Sequence, residues 1–92
     1  VSEKLKKHSS SFYFLVEGHT DSAPPVNAPF PTNWELSSAR ATNVVRYLVE
    51  KTGMSGKSVF AVGCSSNHPV SANDPDNRRI EILVIPMDLY KF

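Results

Sequence analysis

The run from Asn33 to Thr52 contains neither glycine nor proline and is punctuated at both ends. Thr32-x-x-Glu35 has the form of a capping box, in which the threonine side chain and the glutamate carboxylate each satisfy a backbone N–H that the first helical turn leaves free. Gly53 is placed to end the helix in left-handed conformation. Between these marks Leu36, Ala41, Val44, Val45 and Leu48 recur at three- and four-residue spacing, which predicts a helix over 33–52 with one buried stripe.

Strands flank that helix. Phe12-Tyr13-Phe14-Leu15-Val16 is aromatic and β-branched, the composition of a strand buried on both faces, and Glu17-Gly18-His19-Thr20-Asp21 reads as its exit into a loop. Ser22 to Thr32 holds Pro24, Pro25, Pro29 and Pro31, which remove donors and fix φ, so a stiff irregular connection is expected. Val59 to Cys64 reads as a second strand, with Cys64 as a small buried side chain, and Arg79 to Ile85 as a third, stopped by Pro86. Ser65 to Asn77 is polar and loop-like. Val1 to His8 carries the lysines of a final helical turn. The expected fold class is α/β, an α+β two-layer sandwich with helices on one sheet face and a right-handed parallel crossover between the first two strands. The 92 residues suffice for a single domain over 1–92.

Composition excludes more than it identifies. A formal net charge of +1 with scattered Lys and Arg gives no basic field for nucleic acid. The longest apolar runs fall far short of the roughly 20 residues that cross a bilayer, and no signal peptide is visible. The single cysteine, Cys64, excludes an internal disulfide. His19, Asp21 and His68 lack the close spacing of a metal site, so none is expected. His19 and Asp21 with Ser22 or Ser37 do not make a hydrolytic relay, because residues two apart on an extended chain point the same way. Trp34 is expected to pack and fix the proline loop, with a sugar-stacking platform as the alternative.

Arg40 is the anomaly. It lies four residues from Leu36 and four from Val44, within or beside the apolar stripe, near the helix end where the dipole disfavours a cation. A guanidinium there needs an anion, and Asp21, just past a strand whose carboxyl end shares a sheet edge with the helix start, is the natural candidate. The two either form a structural ion pair or together grip a zwitterion, Arg40 holding its carboxylate and Asp21 its ammonium.

Asn33-x-x-Leu36-Ser37-x-x-Arg40-Ala41-x-x-Val44-x-x-x-Leu48 resembles the helix signature of the OmpA C-terminal (OmpA/MotB) family. Gly18-His19-Thr20-Asp21 before it and Asn77-Arg78-Arg79-Ile80-Glu81-Ile82 after it match the flanking motifs in order. Phe30-Pro31-x-Asn33-Trp34-Glu35-Leu36-Ser37 is most similar to the MotB stator branch, with Pal-like and outer-membrane anchors as the alternatives.

The resemblance implies a β/α/β/α/β-β domain and a peptidoglycan-binding, non-enzymatic anchor without a cofactor. The gripped group would be the diaminopimelate of the stem peptide. Asp21 and Arg40 would hold it, Thr20 and Asn33 would add hydrogen bonds, Leu36 would pack on its apolar stem and Arg79 would border the pocket. Arg79 could equally pair with Glu17 or Glu81. The implied setting is the periplasm, attached to the cell wall, as a homodimer tethered to the inner membrane beside a MotA-like partner. Two departures stand against the family pattern: no counterpart of the first strand and most of the first helix precedes Val1, and the approach to Asn77 through Asn73-Asp74-Pro75-Asp76 is short.

Overall fold

The computed structural model describes residues 12–25 and 30–88. The expected helix end over Val1 to His8 and the tail Tyr90 to Phe92 lie outside those residues. Within them the order is β1 (Phe12–His19), α1 (Asn33–Thr52), β2 (Val59–Gly63), a short 3-10 turn (Asp74–Asn77) and β3 (Arg79–Pro86).

The helix has the bounds its sequence signals set. Thr32 Oγ1 accepts the Trp34 N–H at 3.2 Å and Glu35 Oε1 accepts the Thr32 N–H at 3.0 Å, completing the capping box. Gly53, at φ 77°, turns the chain out of the helix.

The three strands form one sheet in the order β2-β1-β3, β2 parallel to β1 and β3 antiparallel to it. Being central, β1 runs three residues further than its composition suggested: Glu17 and Gly18 are paired on both sides, and His19 pairs with Arg79. These residues are strand and not loop, because two partners hold the backbone extended.

Helix α1 lies over β1 and β2. Phe14, Val16, Ala41, Leu48, Met54 and Val59 form the buried core, with Phe12, Val44 and Val45 packed at its margin. Burying each large apolar side chain contributes roughly 1.5–3 kcal/mol. The strand expected to be buried on both faces is buried on one. Phe14, Val16 and Gly18 face the helix, whereas Tyr13, Leu15 and Glu17 on the opposite face are half-exposed. Strand β3 is less covered still: Ile82 and Val84, which share the helix-side face through their pairing with Val16 and Phe14, are 38% and 50% exposed.

Candidate functional site

The site is built where the first half of α1 crosses the carboxyl ends of β1 and β2. Two glycines make that crossing close. A Cβ on Gly18 would stand 2.1 Å from the Ser37 carbonyl oxygen, and one on Gly63 would stand 2.0 Å from Ser38 Oγ and 2.9 Å from Ser38 N. Ser37 is 0% exposed. Its Oγ donates to the Trp34 carbonyl at 3.1 Å and accepts the Ser65 N–H at 3.0 Å, joining helix to the segment after β2. Ser65 in turn takes φ 54° and accepts the Thr20 N–H at 2.9 Å. The chain leaving β1 is thereby clamped between helix and neighbouring strand.

Past this clamp the loop is held by side chains. Asn33 Nδ2 donates to the carbonyls of Asp21, at 3.3 Å, and Ala23, at 3.0 Å. The Asp74 carboxylate accepts the Ser22 N–H at 3.0 Å and the Ser22 hydroxyl at 2.6 Å, tying the same loop to the 3-10 turn. Those bonds hold the Asp74 carboxyl below its ordinary value, the Ser22 hydroxyl being the main cause. Asn77, itself buried, accepts the Val70 and Ser71 N–H groups on Oδ1 and donates Nδ2 to the Ser71 carbonyl, fixing the segment before β3.

Together these elements surround an open pocket of about 370 Å³ lined by Thr20, Asp21, Ala23, Pro24, Pro25, Phe30, Asn33, Leu36, Arg40 and Arg78. It is apolar along the proline loop and Leu36, with charged groups of both signs at its rim. Asp21 lies 3.6 Å from the Arg78 guanidinium. Arg40 has no ion pair or hydrogen bond among the described residues. The Oδ1 of Asn33 is buried and meets no donor among the described residues.

Five of the six residues singled out in the sequence, Asp21, Arg40, Thr20, Asn33 and Leu36, therefore line one pocket, and Arg79 does not. Strand alternation sends Arg79 to the helix-free face, opposite His19, where it donates to Glu81, to the Asn77 carbonyl at 3.3 Å and to the His68 carbonyl at 2.9 Å. Arg78, one residue earlier, takes the pocket position. Its signal was in the same motif, since adjacent residues at a strand start point to opposite faces.

Arg40 also differs from expectation. It is exposed, and the stripe turns through Ser37, Ala41 and Leu48. Its guanidinium needs no buried counter-ion, and Asp21 is engaged by Arg78. Thr20 is 3% exposed, its hydroxyl turned to the Asp21 carbonyl at 3.0 Å. Trp34, expected to pack, is 53% exposed. Cys64 falls just beyond β2 and is half-buried. His19 contacts Glu17 at 3.2 Å and neither serine, while the Ser37 hydroxyl is committed to a backbone carbonyl.

An exposed guanidinium and a carboxylate around one apolar-walled pocket can bind a small molecule carrying an anionic and a cationic end. The OmpA family profile matches residues 1–82. Motility protein B of Bacillus subtilis is 36% identical over 77 residues, 78% of this chain and 30% of that protein. The cell wall anchor of the T6SS from Pseudomonas aeruginosa superimposes with TM-score 0.75 at 37% identity, covering 92% of this chain and 60% of that one. The periplasmic domain of Helicobacter pylori MotB shares the fold, with TM-score 0.85 at 24% identity over 94% of this chain and 57% of the other. The chain spans less than a third of the length of the curated relatives it matches.

Proposed function

The chain belongs to the OmpA family, and from that premise we propose that it is a non-catalytic module holding peptidoglycan in the periplasm, its pocket gripping the diaminopimelate of the stem peptide. The observation that carries this reading is the presence of Asp21 and Arg40 at one open pocket with the Arg40 guanidinium unpaired among the described residues. Arg40 takes the ligand carboxylate, bidentately where geometry permits. Asp21 takes the ammonium, exchanging its 3.6 Å contact with exposed Arg78 for a closer one. Leu36 packs on the methylene stem, and Asn33, through its Nδ2 bonds to the Asp21 and Ala23 carbonyls, holds with Thr20 the loop that presents Asp21.

No step of turnover is needed to anchor. A small zwitterion in an open pocket offers few contacts, so each site binds modestly and retention comes from pairing two modules in a homodimer. In this reading residues 1–92 act as one domain. The tether is a MotB-like stator subunit of the inner membrane beside a MotA-like partner. A second tether has its own support: identity to the T6SS cell wall anchor is as high as that to motility protein B. Either tether leaves the proposed use of the pocket unchanged.

The test is co-sedimentation with purified peptidoglycan. Wild type should pellet, and Asp21→Ala and Arg40→Ala should each weaken binding roughly tenfold or more, the loss of one charge-assisted contact. Equal sedimentation of all three, each folded by circular dichroism, would leave an assembly domain as the better reading.

A further inference from the structure

The helix-free face of the sheet carries a second polar cluster, separate from the pocket. Glu17 and His19, two apart on β1, point to that face, and Cys64 follows β2 beside them, positioned by its N–H donating to the Gly18 carbonyl at 3.0 Å. A carboxylate oxygen of Glu17, a ring nitrogen of His19 and Cys64 Sγ all lie within 4.8 Å of one another. Ligands around a tetrahedral zinc at about 2.0–2.3 Å stand roughly 3.3–3.8 Å apart, so small side-chain rotations close the set.

His19 supplies the independent observation. The residue is 3% exposed, Nε2 lies 3.2 Å from Glu17 Oε1, and Nδ1 is buried with no hydrogen-bond partner among the described residues. An ionised carboxylate has no proton to give, so in the neutral ring Nε2 carries the hydrogen and Nδ1 is a buried lone pair facing no donor. Burying such an acceptor unmet is costly, and moving the ring hydrogen from Nε2 to Nδ1 frees Nε2, beside Glu17, to ligate a cation.

From this geometry we infer that Glu17, His19 and Cys64 form a binding site for a single thiophilic divalent cation of the zinc type. One nitrogen, one oxygen and one sulfur donor suit a borderline-soft ion over magnesium or calcium. On binding, the thiol proton leaves to solvent and the thiolate becomes the third ligand. The surrounding charges permit this. Arg79 and Glu81 of β3 are paired with each other, and the His68 ring stands edge-on 6.1 Å from that of His19. Burial and then the Glu17 charge hold the empty thiol protonated above its ordinary range, and the same negative field favours an incoming cation. The ion would clip the carboxyl ends of β1 and β2 together behind the strand ends that carry Asp21.

The experiment is titration of the reduced, metal-free chain with zinc chloride against a chromophoric chelator, for wild type, Cys64→Ser, Glu17→Gln and Asp21→Ala. Wild type and Asp21→Ala should bind one ion with equal affinity, and Cys64→Ser and Glu17→Gln should each bind at least tenfold more weakly. Cobalt chloride gives a readout free of any folding defect: the wild-type complex should show a thiolate-to-cobalt charge-transfer band. A smaller loss in Cys64→Ser, or no such band in wild type, overturns the site.

Discussion

The main-chain carbonyl of Ser37 stands over Gly18, so close that a methyl group on that glycine would meet the oxygen at 2.1 Å. The helix start is thereby seated on the end of β1, and Asp21 and Arg40 reach one pocket because the elements carrying them meet at this point.

Gly18→Ala should therefore destabilise the fold by about 1–3 kcal/mol or more, since a backbone atom and not a flexible side-chain end must give way. Urea unfolding checks it. Ser37→Ala should cost less, about 1–2 kcal/mol, by leaving the buried Ser65 N–H without its 3.0 Å partner.

Arg40→Ala should separate function from folding. The guanidinium is exposed and has no partner among the described residues, so its removal should change stability by no more than about 0.5 kcal/mol while peptidoglycan co-sedimentation falls. A Tm loss of many degrees would show that Arg40 does structural work.

Asn77→Ala should rank with core truncations despite the residue's polarity. Its side chain serves the Val70 and Ser71 amides at 2.8 and 3.2 Å and the Ser71 carbonyl at 3.1 Å, and the backbone groups left unmet should cost about 2–4 kcal/mol. Amide exchange should rise first in the segment between β2 and β3.

Acid should loosen the loop that carries Asp21. The Asp74 carboxyl is held below its ordinary 3.8 by the Ser22 hydroxyl and amide. A depressed carboxyl contributes stability that is full above the unfolded value and is lost as pH falls through the folded one. Wild-type stability should therefore drop below about pH 4, and Asp74→Asn should flatten part of that slope in denaturant titrations. Glu35, lowered chiefly by the Thr32 hydroxyl, and Glu81, lowered chiefly by its bond from Arg79, add to the slope in the same direction.

Helix α1 was legible end to end because its signals are local. Thr32 and Glu35 cap within one turn, and Gly53 needs only its own φ. That Asp21 and Arg40 share a pocket followed from the rule that a strand's carboxyl end meets the start of the next helix, whereas Thr20, Asn33 and Leu36 were expected there from the family resemblance alone.

What the sequence by itself determined was the three strands, the long helix and their order, which depend on neighbours a few residues away, and, through the strand-to-helix rule, the two opposed charges at one sheet edge. Only the tertiary structure decided which side each residue serves. Pairing of His19 with Arg79 fixes the strand parity that sends Arg79 behind the sheet and leaves Arg78 beside Asp21. The close seat on Gly18 turns the helix so that Ser37, not Arg40, is buried. The gathering of Glu17, His19 and Cys64 has the same origin: β1 and β2 meet in register, and a register is set by contacts across the sheet that no local spacing encodes.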